Sequence, residues 1–181
     1  MTSKYAALPE DKLVVLVQTT LDGDAFSALV SPLAGELQAF LTRLTGNPTR
    51  AEDLGQNTLW KAYRKIDRFA GKSSFKTWLF SIAYHEFLQA QRKTNSITRL
   101  INAVSERVCE SAESNISQRL DLQRALDALS IEERAALLLA EAYGFSHPEI
   151  ASTLALPLGT VKTLIRRAKS KLAKKSQSHQ H

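Results

Sequence analysis

Cysteine is almost missing from this chain: Cys109 stands alone among 181 residues. A single thiol excludes an intrachain disulfide and a cysteine-built zinc site within one chain, and it suits a reducing compartment. Proline and glycine are also scarce, at five and seven. Few positions therefore break a helix, while Ala, Leu, Glu, Lys, Arg and Gln abound. No run approaches the about 18 apolar residues of a membrane span. Near the start, Leu13–Val17 is too short for a signal peptide and is flanked by acids, so the sequence predicts no membrane insertion and a cytoplasmic location. His85, His147, His179 and His181 show no metal-ligand spacing with nearby acids, and there is no glycine-rich phosphate loop. Neither catalytic residues, a metal nor a cofactor is expected, and the chain does not read as an enzyme.

Basic charge is what the chain has in excess. Its net charge is +6 and its pI is near 9.5, a balance that favours polyanions such as nucleic acid. Helical periodicity runs through nearly all of it. The first candidate covers about 10–21. The second covers 25–44, with Phe26, Leu29, Val30, Leu33, Leu37, Phe40, Leu41 and Leu44 on one stripe and a kink or split expected at Pro32. Thr49 and Glu52 have capping-box spacing ahead of a third helix reaching about Phe69. After the loop "AGKSS", Ser73 or Ser74 can cap a fourth helix that reaches about Gln91. The pattern predicts an all-α chain of two small helical domains, 10–94 and 118–175. A flexible linker over 95–117 joins them, and 176–181 form a disordered tail. Within the linker, Ile97, Leu100, Ile101, Val104 and Val108 keep helical spacing.

The C-terminal domain carries the sharpest motif, "SHPEIASTLALPLGTVKTLIRRAKSKL". Ser130 with Glu133, just upstream, and Ser146 with Glu149 have capping-box spacing, and Pro148 suits a first turn. Ile150, Ala151 and Leu154 make a short apolar stripe, "ALPLG" interrupts, and Val161, Leu164, Ile165, Ala168 and Leu172 make a second. Two short helices, a tight turn and a small residue at the crossing make a helix-turn-helix, which lays its second helix in the major groove of DNA. Thr160, Lys162, Thr163 and Arg166 fall on the N-terminal half of that helix, off the apolar stripe, where Lys and Arg can donate to guanine. Arg167, Lys169 and Lys171 would meet phosphates.

In the first domain, "AEDLGQNTLWKAYRKIDRF" puts Leu59, Ala62, Tyr63, Ile66 and Phe69 on a core stripe. Glu52, Asp53, Gln56, Asn57, Trp60, Lys61 and Arg64 fall largely on other faces. Trp60 fits a protein-contact anchor and equally a core tryptophan. "FAGKSSFKTWLFSIAYHEFLQAQRK" interleaves Phe69, Phe75, Trp78, Phe80 and Tyr84 with Lys72, Lys76, Arg92 and Lys93. Such a mixture suits single-stranded DNA, with rings stacking on bases and cations tracking the backbone. Phe75, Leu79, Ile82 and Ala83 also have core spacing, and Trp78 fits core as well as platform.

These two segments together resemble the two domains of a bacterial sigma factor of the small extracytoplasmic-function (ECF) type, in the sigma-70 family. The resemblance covers about 10–94 and 118–175. It implies that Glu52, Asp53, Gln56, Asn57, Trp60, Lys61 and Arg64 bind core RNA polymerase, at the clamp helices of its largest subunit, while the second domain meets the flap of the second largest. It implies that Lys72, Ser73, Ser74, Phe75, Lys76 and Trp78, with His85 behind them, melt and capture the −10 element of promoter DNA. Thr160, Lys162, Thr163, Arg166, Arg167, Lys169 and Lys171 would read the −35 element. Family members are commonly held inactive by an anti-sigma factor, often membrane-anchored. Three positions depart from the family pattern: Asn57 stands where an acid is usual, Tyr84–His85 where Arg-Asn is frequent, and Leu164 where an Arg is frequent.

Two other kinds of protein share parts of this pattern. A helix-turn-helix response regulator would need a receiver domain with alternating strands, and residues 1–94 have helical periodicity instead. A sigma-like decoy that binds an anti-sigma factor without DNA would need no basic recognition helix.

Overall fold

The computed structural model describes residues 5, 8–104 and 117–177. Among them the secondary structure is helical: α1 (Glu10–Thr20), α2 (Gly23–Thr45), α3 (Pro48–Arg64), a 3-10 turn (Ile66–Arg68), α4 (Phe75–Val104), α5 (Ser117–Asp127), α6 (Ile131–Glu141), α7 (His147–Leu154) and α8 (Leu158–Gln177).

In the first unit α2 and α4 supply the interior, and α1 and α3 pack against them. Leu37, Phe40, Leu41 and Leu44 of α2 meet Phe75, Leu79, Phe80, Ala83 and Phe87 of α4, all buried. Each fully buried Leu or Phe contributes about 1.5–3 kcal/mol relative to exposure. Leu21 ends α1 in the left-handed region (φ 52), and the Asp22 carboxylate caps α2 through the N–H groups of Asp24 and Ala25.

Some local expectations are corrected. Pro32 does not split α2, which runs through it with the ring on the exposed side. The cap of α3 is Asn47, not Thr49: its side chain accepts from Arg50 N–H at 3.0 Å, and Pro48 takes the first helical position, where its missing donor costs nothing. α3 ends at Arg64 rather than Phe69 and tightens into the 3-10 turn. α4 passes the expected stop near Gln91 and continues to Val104, because no Pro or Gly interrupts it. Val108 and Cys109 lie outside the described residues. α8 reaches Gln177, into the stretch expected to be a tail; His179 and His181 are again outside the described residues.

The second unit is the helix-turn-helix with two supporting helices. α6 buries Ala135, Ala136, Leu137, Leu138 and Leu139; α7 contributes Ile150 and Leu154; α8 contributes Val161, Ile165 and Ala168. Two of the three expected capping boxes form: Ser130 with Glu133, and Ser146 with Glu149. The turn between α7 and α8 hangs on Ala155, which is left-handed at φ 54 and ψ 45, with Leu156 N–H donating to the Ala151 carbonyl at 3.0 Å.

The two units touch. α7 lies against α4, and α6 against α2. The ring of Tyr143, just past α6, stands edge-on to Phe40 (5.8 Å) and tilted to Phe80 (5.7 Å), and Phe145 packs on Phe80 at 5.2 Å.

A left-handed alanine carries about 1–2 kcal/mol of strain that glycine avoids. Ala155→Gly is therefore expected to raise stability by about 1 kcal/mol in denaturant unfolding, after the extra freedom of glycine in the unfolded chain is subtracted. A loss of stability would show that the Ala155 side chain contributes packing at the turn.

Candidate nucleic-acid and polymerase interface

α8 is held by its apolar stripe. Val161, Ile165 and Ala168 are sealed against α6 and α7, and Leu164 and Leu172 are half-buried beside them. Leu164, where the family often carries Arg, thus belongs to the seat of the helix rather than to its outer face. The opposite face is open: Thr160, Lys162, Arg166, Arg167, Lys169 and Lys171 are exposed. Thr163 is half-buried and donates its hydroxyl to the Gly159 carbonyl at 3.0 Å. Two of the cations have acidic partners within the same unit. Lys169 pairs with Glu141 at 2.8 Å, and Lys171 with the buried Glu133 at 2.6 Å. Lys171 thereby helps to fix α8 on α6. Its hydrogen bond, with the Ser130 N–H, holds the Glu133 carboxyl below the ordinary value of 4.5.

On α3, Glu52, Asp53, Gln56, Asn57, Trp60 and Arg64 are all exposed, while Ala51, Leu54, Gly55, Thr58 and Ala62 face inward. Spacings of three and four residues put the exposed set on one face. Trp60 is not a core residue: 57% of its surface is accessible, and the Arg64 guanidinium lies over its ring at 4.7 Å. Lys61 differs from the rest. It is half-buried and paired with Glu86 of α4 at 2.5 Å, which ties α3 to α4.

The loop before α4 turns at Gly71 (φ 65), leaving Lys72 exposed and Ser73 half-buried. Ser74 caps α4, its Oγ accepting from Thr77 N–H at 3.1 Å. The aromatic residues expected to alternate between bases and core fall mainly inside. Phe75, Phe80 and Tyr84 are buried, since the helical core spacing governs which way they face. Burial, with Glu132 nearby, pushes the Tyr84 hydroxyl up to about 12. Trp78 is half-buried, its ring tilted against Phe69 (5.3 Å) and Phe75 (5.7 Å). His85 is exposed, with Nδ1 donating to the Ser81 carbonyl at 2.6 Å. Lys76 is half-buried, paired with Glu36 at 2.6 Å and donating to the Tyr143 carbonyl at 3.1 Å.

Glu36, Arg43, Tyr143 and Glu149 are the residues that sequence reasoning missed around this site. Glu36 reaches Lys76 across the packing of α2 on α4, and Arg43, Tyr143 and Glu149 come in through the contact between the two units; no local spacing signals either meeting. Among the described residues no three His, Cys, Asp or Glu side chains gather as a metal-holding group, and no helix is long and apolar enough to cross a membrane.

An inward-sealed helix-turn-helix with a basic outer face, joined to a helical unit that displays a polar face around an exposed Trp, defines a DNA-directed helical adaptor. Residues 29–97 match Sigma-70 region 2, and residues 119–172 match Sigma-70, region 4. The chain is 35% identical to the ECF RNA polymerase sigma factor EcfG of Rhodopseudomonas palustris over 142 residues, 76% of this chain and 77% of that one. It is 31% identical to the ECF RNA polymerase sigma-E factor of Salmonella typhimurium over 180 residues, 90% and 93% of the two chains. Among solved structures it is similar to the sigma factor RpoE in complex with the anti-sigma factor NepR from Bartonella quintana (TM-score 0.71, 32% identity, 82% of this chain and 94% of that one). It is also similar to CnrH in complex with the cytosolic domain of CnrY (TM-score 0.70, 25% identity, 93% and 97%). The chain belongs to the ECF sigma factors of the sigma-70 family, which are transcription initiation factors.

Glu149, like Glu133, is held below 4.5, chiefly by the Ser146 hydroxyl and N–H. A carboxyl whose folded value is lowered contributes stability that is complete above its unfolded value and lost as pH falls through the folded one. Thermal unfolding of the parent should therefore weaken between about pH 5 and pH 3 more than that of Glu133→Gln/Glu149→Gln, whose side chains can still accept from the caps. Equal losses would contradict this assignment.

Proposed function

We propose that this chain docks on core RNA polymerase through the exposed face of α3: Glu52, Asp53, Gln56, Asn57, Trp60 and Arg64 meet the clamp helices of the largest subunit. Lys61 supports that face from its pair with Glu86. The second unit meets the flap of the second largest subunit and reads the −35 element with α8. Thr160, Lys162, Thr163 and Arg166 lie toward the bases, and Arg167, Lys169 and Lys171 toward phosphates. Lys72, Ser73, Ser74, Lys76, Trp78 and His85 handle the −10 strand, with Phe75 anchoring the loop from the core. The chain works in the cytoplasm under an anti-sigma factor, membrane-anchored as in many family members, and the chemistry of RNA synthesis is the polymerase's own. The observation that carries the reading is the outward basic face of α8, open over its first three turns while the inner stripe is sealed. The sigma factor RpoE of Bartonella quintana, solved in complex with the anti-sigma factor NepR, supports the anti-sigma element.

Run-off transcription with bacterial core polymerase and genomic promoter fragments should give discrete start sites absent with core alone. Silence without a core complex would overturn the reading and favour the decoy. Trp60→Ala should weaken core binding by about thirtyfold, the scale of an interface anchor of about 2 kcal/mol; unchanged affinity would move the docking site elsewhere. Arg166→Ala should cost about 1–3 kcal/mol and relax the preference at one −35 position. Arg167→Ala should instead weaken binding to all sequences alike and lower the salt slope by about 1. Quantitative binding to a panel of −35 variants at several salt concentrations separates these effects.

A further inference from the structure

We infer that α1 is a brace for the loop at 70–74: Gln18 and Glu10 hold its two ends, and both are positioning residues for capture of the unpaired −10 strand. The inference rests on the assignment of that loop to the −10 element proposed above.

The loop is short, and α1 grips it on both sides. Gln18 Nε2 donates to the Ile66 carbonyl and to the Phe69 carbonyl, both at 2.8 Å. Ile66 opens the 3-10 turn and Phe69 closes it, just where the chain enters the loop. On the far side, Glu10 Oε1 accepts from the N–H of Phe75, the first residue of α4, at 3.2 Å. The residue types suit these tasks. One primary amide has two N–H groups and serves two carbonyls. A carboxylate suits a helix start, where the first N–H groups lack intrahelical partners and the dipole favours negative charge. Ser74 caps α4 from within by accepting from Thr77 N–H, and Glu10 takes the Phe75 N–H.

The brace is anchored away from the loop. Leu13, Val14 and Val17 are buried where α1 packs on α2. The Tyr63 hydroxyl of α3 donates to the Leu21 carbonyl at the end of α1. Between the two grips, the Phe69 ring stands edge-on to Phe75 at 5.8 Å and closes the base of the loop. Gly71 and Lys72 stay exposed at its tip. The loop thus has fixed ends and an open tip. Ends ordered in advance leave less freedom to lose when a strand is captured, and so favour binding. Both side chains lie ahead of residues 29–97, which match region 2, so neither is part of that match.

A purely structural role for these bonds would weaken the whole fold and every surface with it. A brace changes one surface. The test uses the full chain with Gln18→Ala, Glu10→Ala and Glu10→Gln, whose amide oxygen can still accept from Phe75. Binding is measured separately to core polymerase, and, as holoenzyme, to a −35 duplex and to a single-stranded oligonucleotide carrying the −10 sequence of a promoter mapped by run-off transcription. Gln18→Ala and Glu10→Ala should each weaken binding of the oligonucleotide by about two- to tenfold, the scale of one hydrogen bond. Core and −35 binding should stay at the parental level, and Glu10→Gln should restore binding of the oligonucleotide. In the free protein, trypsin cleavage after Lys72 follows the population of loosened loop. It should rise by a similar factor in both alanine variants and fall back in Glu10→Gln.

Equal losses at all three surfaces, unchanged oligonucleotide binding in both alanine variants, or a Glu10→Gln variant as weak as Glu10→Ala would each overturn the brace. The two alanine variants act at opposite ends of the loop, so a folding defect in one leaves the other to decide. The cleavage measurement needs no polymerase. A parental holoenzyme that ignores the oligonucleotide, with cleavage at Lys72 raised in the alanine variants, would therefore count against the −10 assignment of the loop and not against its bracing by α1.

Discussion

The seat of α8 is the constraint on which the rest depends. A helix with so dense a positive charge gains little from its own sequence. Its like charges repel, and its moderate length gives marginal stability in isolation. It stands because Val161, Ile165 and Ala168 are sealed against α6 and α7, and because Glu133 and Glu141 take up two of its lysines. That arrangement divides the helix into an inner half that fixes its angle and an outer half that is open to solvent. The two capping boxes support it by fixing where α6 and α7 begin.

The first unit solves the opposite problem. Its exposed faces are polar and lie on helices whose inner faces are almost wholly apolar. α3 alternates Ala51, Leu54, Gly55, Thr58 and Ala62 inward with an outward row around Trp60. Gly55 allows a close approach: a Cβ there would lie 2.9 Å from the Gln38 side chain of α2. This lets α3 lie flat on α2 while presenting the large indole outward. An exposed Trp under an Arg is costly on a free surface, and it makes sense when a partner covers it.

Much of this was legible in the sequence. Helical periodicity located the helices, the two Ser…Glu pairs marked the starts of α6 and α7, and the stripe at Val161, Ile165 and Ala168 fixed which side of α8 faces out. Two kinds of feature were not legible. Caps competed locally: Asn47 before Pro48 outranks Thr49, because proline already supplies the first helical residue. The placement of aromatic rings depended on tertiary packing: Trp60 and Trp78 have similar polar neighbours, yet only Trp60 is open, because Phe69 and Phe75 cover one side of Trp78. The contact between the units had no signal at all, since Tyr143 pairs with Arg43 a hundred residues earlier.

Site-specific photo-crosslinking in a transcribing complex tests the division of labour most directly. A photoreactive side chain in place of Arg166 should link to promoter DNA near −35, and one in place of Trp60 should link to the largest polymerase subunit. Exchange of those targets, or a probe at Arg166 that links only to protein, would contradict the account.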